Sequence, residues 1–96
     1  MEENAALAAL AALAQEARLR AFRLLVEAGP DGLPAGQIAA ELHLAPNTLS
    51  FHLSHLRSAG LVDSRRAGRS RIYAANFAAM RALVGYLSDN CCLRSR

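Results

Sequence analysis

Apolar residues recur at three- and four-residue spacing along most of the chain, a pattern typical of amphipathic helices. Near the start, leucines at every third position predict a helix over residues 4–14, with Asn4 as its N-cap. A second stripe predicts a helix over residues 16–28, which a Gly-Pro-Asp-Gly turn ends. The stripes of these two helices consist of Leu7, Leu10 and Leu13, and of Leu19, Phe22, Leu25 and Val26.

Two shorter helices follow, separated by three residues. The first spans about residues 35–42, and Pro46 suits the first turn of the second, over residues 46–59. Their buried positions are expected to be Ile38, Ala39 and Leu42, and Leu49, Leu53 and Leu56. A short helix, a tight turn and a second amphipathic helix form a helix-turn-helix, whose second helix enters the DNA major groove. Residues 35–59 are therefore predicted to form a helix-turn-helix.

The hydrophobic period changes after Gly60. Residues 61–66 and 69–74 predict two strands around a two-residue turn at Ala67-Gly68, so that residues 61–75 form a β-hairpin. One face of this hairpin would carry Val62, Ser64, Arg66, Arg69, Arg71 and Tyr73. Asn76 then caps a last helix, over residues 76–91, whose stripe is Phe77, Met80, Val84, Leu87 and Cys91. We expect a single domain over residues 1–96, mainly α-helical with a small β-hairpin.

Length and composition narrow the class of protein. The 96 residues are too few for an enzyme with a cleft between two lobes, and 53% of them are hydrophobic, mostly Ala and Leu. No apolar run approaches the roughly 20 residues of a membrane helix, and the start, Met1-Glu2-Glu3, is acidic where a signal peptide is basic. Because no Ser-His-acid arrangement, phosphate loop or closed ligand set is present either, we expect a soluble cytoplasmic protein that is not an enzyme and has no membrane partner.

Charge is distributed unevenly along the chain. The net charge is +3, yet residues 1–48 carry three Arg and six acids (−3), whereas residues 49–96 carry eight Arg and two acids (+6). A basic half on a small helical domain suggests a polyanionic partner such as nucleic acid, the alternative being a solvated face that keeps the protein soluble. Four arginines cluster in the hairpin and are expected to contact flanking phosphates or the minor groove. They are Arg65, Arg66, Arg69 and Arg71.

The face of the fourth helix opposite its leucines is polar and free of acids, as a surface that enters a DNA groove should be. Asn47 can pair with adenine, and Phe51 can meet a thymine methyl group, unless it is partly buried against the hairpin. We interpret the two histidines of this helix as phosphate contacts or packing residues rather than a metal site. The candidate DNA contacts are Asn47, Thr48, Ser50, Phe51, His52, Ser54, His55 and Arg57.

Four segments of the chain carry a recognisable pattern. They are Leu10-Ala11-Ala12-Leu13-Ala14 followed by Arg18-Leu19, Leu49-Ser50-Phe51-His52-Leu53, Ala59-Gly60-Leu61-Val62, and Arg66-Ala67-Gly68-Arg69 ending in Tyr73. Together they resemble the ArsR/SmtB family of bacterial winged-helix repressors over about residues 7–90. The resemblance implies a winged helix-turn-helix homodimer, paired through its first and last helices, that binds an inverted-repeat DNA operator and leaves it when a metal or metalloid binds. The expected dimer interface comprises Leu7, Leu10, Met80, Val84 and Leu87; burial of the last stripe within one protomer is the alternative.

Cys91 and Cys92 are adjacent in sequence, and in a reducing cytoplasm such a pair is more often a ligand set or a bystander than a disulfide. Their Cα atoms are about 3.8 Å apart, below the usual range of relaxed disulfides. Two thiolates can instead bind one soft ion. Within the family, a vicinal pair at the end of the last helix resembles the arsenic-sensing members. This implies As(III), methylarsenite or Sb(III) as the inducer, bound by Cys91 and Cys92, with no catalytic cofactor.

The chain departs from other sensors of that family. Pro34 and Gly36 stand where one arsenic-sensing branch has a Cys-x-Cys pair, and the last helix lacks the histidines of zinc sensors. The most similar arsenic sensors carry a third cysteine beyond the vicinal pair. Here either the tail is truncated, the third ligand is external or comes from the partner, or the inducer needs only two thiolates. Two further alternatives remain open: a repressor released by thiol oxidation, and a nucleic-acid or protein-binding module without a small inducer.

Overall fold

The computed structural model describes residues 1–95, which form five helices and a small antiparallel sheet with the strand order β1-β3-β2. The helices are α1 (Glu3–Leu13), α2 (Glu16–Ala28), α3 (Ala35–Leu42), α4 (Pro46–Ser58) and α5 (Phe77–Ser88). The strands are β1 (Leu33–Pro34), β2 (Val62–Ala67) and β3 (Ser70–Ala75). The predicted class, a helix-turn-helix followed by a β-hairpin wing, is confirmed. None of the helices within residues 1–95 is long and apolar enough to cross a membrane.

The core lies where α2, α3 and α4 meet the base of the hairpin. Its largest fully buried side chains are Leu25, Ile38, Leu49, Leu53, Leu56, Leu61 and Val62. The predicted bounds of α2 and α3 and the predicted buried faces of α3 and α4 are confirmed. Leu19 was predicted to belong to the apolar stripe of α2, and this prediction is wrong because 45% of its surface is exposed. Ala21 takes the inward position on α2 beside Phe22 and Leu25.

Helix α1 presents three of its alanines to the core and two of its leucines to solvent, while its last leucine, Leu13, is partly buried against the core. Ala6, Ala9 and Ala12 are buried, whereas Leu7 and Leu10 are exposed. Because methyl side chains allow close approach, α1 lies directly against α2 and α4. The predicted N-cap, Asn4, is also wrong. The carboxylate of Glu2 caps the helix instead, accepting hydrogen bonds from the backbone N–H groups of Asn4 (3.1 Å) and Ala5 (2.7 Å).

Strand β1 was not expected, because two residues are too few to show an alternating pattern. Leu33 pairs with Tyr73 and Pro34 with Ile72, so β1 ties the start of α3 to the middle of β3. The preceding turn must approach β3 closely. Gly32 has φ of +70°, and a Cβ atom at this position would overlap the carbonyl oxygen of Tyr73. Glycine is therefore required here both by its backbone conformation and by the lack of space.

The hairpin turn lies one residue later than predicted. Ala67 pairs with Ser70, so the two turn residues are Gly68, with φ of +62°, and Arg69. Moving a turn by one residue shifts the cross-strand pairing by two, which leaves every side chain on its original face. Val62, Ser64, Arg66, Arg71 and Tyr73 therefore share one face, as predicted, and Arg69 is the exception because it lies in the turn.

Helix α5 begins as predicted, because the Asn76 side chain accepts a hydrogen bond from the N–H of Ala79 (3.1 Å). Its end is not where the sequence pattern placed it. The helix stops at Ser88, three residues before the predicted end, so Cys91 lies in a following turn. Leu83 is the buried residue of α5, whereas 61% of Val84 and 60% of Leu87 are exposed. The predicted apolar stripe is therefore not buried within the protomer, apart from partial burial of Phe77 and Met80 against the core.

Replacing Gly32 by alanine should lower the free energy of unfolding by about 2–5 kcal/mol, since it adds a clash with β3 to an unfavourable left-handed backbone. Gly60→Ala is the matched control. Gly60 has φ of +78° but open space around it, so only the backbone penalty of about 1–2 kcal/mol applies. Urea unfolding of the two variants measures both effects. Equal losses would contradict the close approach of the turn to β3.

Candidate nucleic-acid interface

The turn between α3 and α4 fixes the direction in which α4 leaves the core. His43 caps α3 in a left-handed conformation with φ of +56°, and its N–H and that of Leu44 donate to the last carbonyls of α3. Helix α4 then begins at Pro46 without a side-chain cap. Its first N–H groups therefore have no intrahelical partner and are available to an anion such as a phosphate.

The outward face of α4 carries most of the predicted DNA contacts. All but one of the candidates are exposed: Asn47, Thr48, Ser50, Phe51, Ser54, His55 and Arg57. No acidic residue occurs in the helix, and its last turn adds the basic residues His55 and Arg57. The structure thus brings together a polar, acid-free helix face of the kind that reads base edges and phosphates.

Phe51 stands on this face with 58% of its surface exposed. Its ring meets the ring of His55 edge-on, with centroids 4.6 Å apart, and that of His52 at 5.6 Å. The alternative of burial against the hairpin is therefore wrong. The two histidines hold an apolar ring at the surface, where it can contact an apolar group such as a thymine methyl.

His52 does not belong to this face, which corrects the prediction of a DNA contact. Its side chain is only 8% exposed, and its Nδ1 atom lies 3.4 Å from a terminal nitrogen of Arg18. Burial, then the Arg18 guanidinium and then His55, lowers the pKa of the His52 imidazole. The packing alternative is the correct one for this residue.

The sequence pattern did not identify Arg18 as part of this site. Its Nε donates to the carbonyl oxygen of Ala12 (2.7 Å), and its terminal nitrogen reaches His52. The available signal was the row of alanines in α1. Small side chains on a buried face leave room beneath them for the long side chain of a neighbouring helix.

The hairpin arginines are divided between two faces and the turn. Arg66 and Arg71 pair directly across the strands, and a terminal nitrogen of Arg71 donates to the hydroxyl of Ser64 (3.0 Å). Arg65 points to the opposite face and donates to the carbonyl oxygen of Asp31 (3.1 Å), while Arg69 is exposed in the turn. Like charges directly opposite each other destabilise a sheet, so a phosphate between Arg66 and Arg71 would relieve this repulsion.

The two cysteines lie in consecutive turns after α5. Both are exposed, and their Sγ atoms are 3.2 Å apart. Neighbouring side chains point about 100° apart on a helix and to opposite sides of a strand. Here the left-handed conformation of Cys92, with φ of +65°, accompanies the close approach of the two thiols. The hydrogen bond with Cys92, in which the neutral Cys91 thiol takes part, raises the pKa of the Cys91 thiol, with a smaller contribution from desolvation.

Within residues 1–95, no group of three or more His, Cys, Asp or Glu side chains is placed to hold a metal ion. This part of the protomer therefore offers a soft ion two sulfur ligands, at Cys91 and Cys92. Any third ligand would come from another molecule or from outside the described residues.

Four of the five predicted dimer residues are exposed: Leu7, Leu10, Val84 and Leu87. Met80 is partly buried against the core. Helices α1 and α5, which carry these residues, also pack against each other. Three exposed leucines and one exposed valine on two adjoining helices form the kind of apolar surface that a second copy of the chain would cover.

Comparison with known proteins agrees with this architecture. Residues 13–65 match the family model of a helix-turn-helix domain. The transcriptional activator HlyU of Vibrio cholerae is 33% identical over 89 residues, which cover 91% of this chain and 80% of that protein. Its solved structure superposes with a TM-score of 0.75 at 31% identity, covering 96% and 99% of the two chains, and a second structure of it is described as reduced.

Two other solved structures are similar. An ArsR-like transcriptional regulator from Rhodococcus has a TM-score of 0.77 at 27% identity and covers 88% of this chain and 77% of its own. A homodimeric winged helix-turn-helix DNA-binding domain from Mycobacterium bovis has a TM-score of 0.73 at 27% identity, covering 97% and 86%. The fold built from these residues is therefore that of DNA-binding regulators, and one relative at this similarity is a homodimer.

Arg66→Ala should weaken binding to all DNA sequences alike and reduce the slope of log affinity against log salt by about 0.9, the value of one phosphate contact. Arg20→Ala is the matched control, since it removes the same charge from α2, where Arg20 pairs with Glu16 at 4.0 Å. Fluorescence anisotropy with a labelled duplex over a range of salt concentrations measures both slopes. An unchanged slope for Arg66→Ala would exclude the hairpin contact, and an equal drop for Arg20→Ala would assign the effect to net charge.

Proposed function

Because the chain belongs to the ArsR-like family of winged helix-turn-helix transcriptional regulators, we propose that it acts as a homodimeric repressor of its target genes. It binds an inverted-repeat operator through α4 and the hairpin, and it is released by a trivalent arsenic or antimony compound bound at Cys91 and Cys92. The observation that carries the DNA-binding part is the exposed, acid-free face of α4 beside the basic hairpin. The contact between the two thiols supports the inducer.

On the operator, the contacts of α4 divide by position. Asn47 and Thr48 lie in the first turn, which in helix-turn-helix proteins meets the base edges, and Asn47 pairs with adenine. Phe51 contacts a thymine methyl, while His55 and Arg57 near the helix end contact phosphates. In a two-fold symmetric dimer the two copies of α4 enter successive major grooves, so the half-sites lie about 34–36 Å apart.

The dimer forms through α1 and α5. Leu7 and Leu10 on one helix and Val84 and Leu87 on the other are large apolar side chains that the protomer leaves exposed. Their burial against a second copy would remove apolar surface from water, the main driving force of association. The homodimeric relative from Mycobacterium bovis supports the formation of a dimer.

The cysteine pair suits a soft, trivalent ion. With metal–sulfur bonds of about 2.3 Å, as in zinc sites, sulfur atoms 3.2 Å apart subtend an angle of about 88° at the ion. Such an angle fits a pyramidal ion that carries a lone pair, and it is narrow for a tetrahedral ion. Arsenite prefers three thiolates, whereas methylarsenite has one position blocked by carbon and is satisfied by two. The pair therefore favours methylarsenite unless a third thiolate joins it.

Thiol oxidation is the second candidate for release. It is favoured by the exposure of both sulfurs and by the relative whose structure is described as reduced. Because adjacent cysteines close a relaxed disulfide poorly, oxidation would join the two protomers or leave a sulfenic acid. A raised pKa lowers the thiolate fraction of Cys91 and so slows this reaction at neutral pH. If peroxide releases the protein from DNA and arsenicals do not, the inducer is an oxidant and not a metalloid.

Leu87→Glu should dissociate the dimer and weaken operator binding, because a charge would be buried in the apolar seam. Leu19→Glu is the matched control, since Leu19 is an exposed leucine on α2, outside the proposed seam. Sedimentation equilibrium gives the mass, and anisotropy with an inverted-repeat duplex selected in vitro gives the affinity. A monomeric parent, or a Leu87→Glu variant that remains dimeric, would rule out this interface.

Cys91→Ser and Cys92→Ser should leave operator binding intact and abolish release by methylarsenite. A 100-fold loss of affinity requires about 2.7 kcal/mol of preference for the unbound arrangement. Each thiol proton leaves as water with a hydroxide of the arsenical, so the extent of release should change little with pH. The rate of release should rise from pH 6.5 to 8.5 with the thiolate fraction, which the raised pKa of Cys91 keeps low. Ser95→Cys adds a third thiol and should shift the preference towards arsenite. Undiminished release from the double serine variant would exclude these cysteines.

The sign of regulation is measured separately. A repressor lowers transcription from a reporter that carries the selected operator, and methylarsenite restores it. The relative HlyU is named an activator, so a rise in transcription on adding the protein would show that this chain also activates.

A further inference from the structure

His52 is a buried titratable group on the DNA-reading helix that neither the operator nor the inducer needs. Among residues 1–95 it is the only buried side chain that is polar or charged. It lies between Phe51 and Leu53, one side of it facing the core and the other touching the ring of Phe51 at the surface. A group in this position can transmit its protonation state to the surface that meets DNA.

Two hydrogen bonds connect His52 to the end of α1. The Arg18 Nε donates to the carbonyl oxygen of Ala12, which lies in the last turn of α1, and a terminal nitrogen of Arg18 lies 3.4 Å from His52 Nδ1. Arginine can only donate, so Nδ1 of His52 must be an unprotonated acceptor. The neutral ring then carries its proton on Nε2. Arg18 thus links the helix proposed for dimerisation to the helix proposed for DNA reading.

We propose that Arg18 and His52 form a proton-sensitive link that positions α4 for DNA binding, and that operator affinity falls when His52 is protonated. Protonation removes the acceptor at Nδ1 and places a second cation beside the Arg18 guanidinium. The inference rests on the proposed operator binding of α4. It adds a regulatory input that is separate from the cysteines.

A positive charge on the His52 ring, beside that of Arg18, would not be compensated by the groups around it. The charged or titratable groups that act on it are Arg18 from α2 and His55 from its own helix. The other elements packed against α4, namely α1, α3 and β2, contribute apolar residues to the core. No buried carboxylate is present in the part of the chain that the structure describes. A positive charge on His52 would therefore be repelled by Arg18, and a displacement of the ring would also shift Phe51, which contacts it on the outward face of α4.

The sign of the effect follows from the lowered pKa of His52. An unfolded histidine titrates at about 6.5, so between that value and the lower folded one the unfolded chain binds more protons. The stabilisation from neutral His52 is present above about pH 6.5 and is lost as the pH falls. Because phosphates attract positive charge, a fall in affinity at low pH has the opposite sign to the effect of added positive charge at the surface.

The experiment measures affinity for the selected duplex between pH 8.0 and 5.5 at constant ionic strength. The parent should lose affinity about three- to tenfold, in line with the net worth of one hydrogen bond. In His52→Asn the amide oxygen replaces Nδ1 as the acceptor and does not titrate, so this fall should disappear while binding at pH 8.0 is retained. His43→Asn is the matched control, because His43 is an exposed histidine whose left-handed backbone suits asparagine.

Circular dichroism at each pH separates loss of binding from unfolding. If His52→Asn does not fold, nitrogen NMR of the parent decides, and Nδ1 should be the unprotonated nitrogen of a ring that titrates below pH 6.5. The proposal is overturned if the parent binds equally well or better at pH 5.5, if His52→Asn shows the same fall, or if Nδ1 carries the proton. A parent that binds no duplex at any pH would overturn the proposed function, while the NMR titration would still test the link.

Discussion

The arrangement of the whole molecule depends on the burial of three leucines of α4. Leu49, Leu53 and Leu56 are each at most 1% exposed, and they pack into the core that α2 and α3 build. Because a helix can bury only one face, this seam determines which side chains face outward. Apart from Phe51, the outward set is polar, and it is free of acids, so the same packing that stabilises the domain also presents the surface that we propose meets DNA. Burying these leucines thus connects stability to recognition.

Elements with a regular spacing of apolar residues could be predicted from the sequence. Elements that depend on very short strands or on residues with a left-handed backbone could not. Helices α2, α3 and α4 were predicted because their seams are regular and Gly or Pro residues stand at their ends. The residues on each face of the hairpin were predicted correctly although the turn was misplaced. A turn moved by one residue shifts the cross-strand pairing by two, so each side chain stays on its face. Strand β1 and the end of α5 were missed because their positions depend on tertiary pairing and on turns at Asn90 and Cys92 with positive φ.

The candidate site shows the same division. The exposed residues of α4 follow from the seam, so most predicted contacts lie where the pattern placed them. His52 was assigned to the wrong side because it lies on the flank of the seam, where helical spacing alone leaves burial open. Its burial is settled by Arg18, which reaches it across 34 positions of sequence. In α1, periodicity identified the face of Leu7 and Leu10, yet the smaller alanines are the buried side. For that helix, the space between neighbouring helices, rather than hydrophobicity, decides the orientation.

The orientation of α1 has a consequence for how signals reach DNA. Alanines on its inner face allow it to lie close to α4, and the end of α1 is held by Arg18, which also holds His52. Its outer leucines lie on the surface that we propose a partner protomer covers, and it packs against α5, which leads to the cysteine pair. Helix α1 therefore contacts α2, which carries Arg18, α4, which carries His52, and α5, which precedes the cysteines. Contact alone does not transmit a signal, because coupling requires two arrangements that the ligands distinguish. A hydrogen bond that His52 makes only when neutral supplies two such arrangements within a fold that is otherwise held by apolar packing.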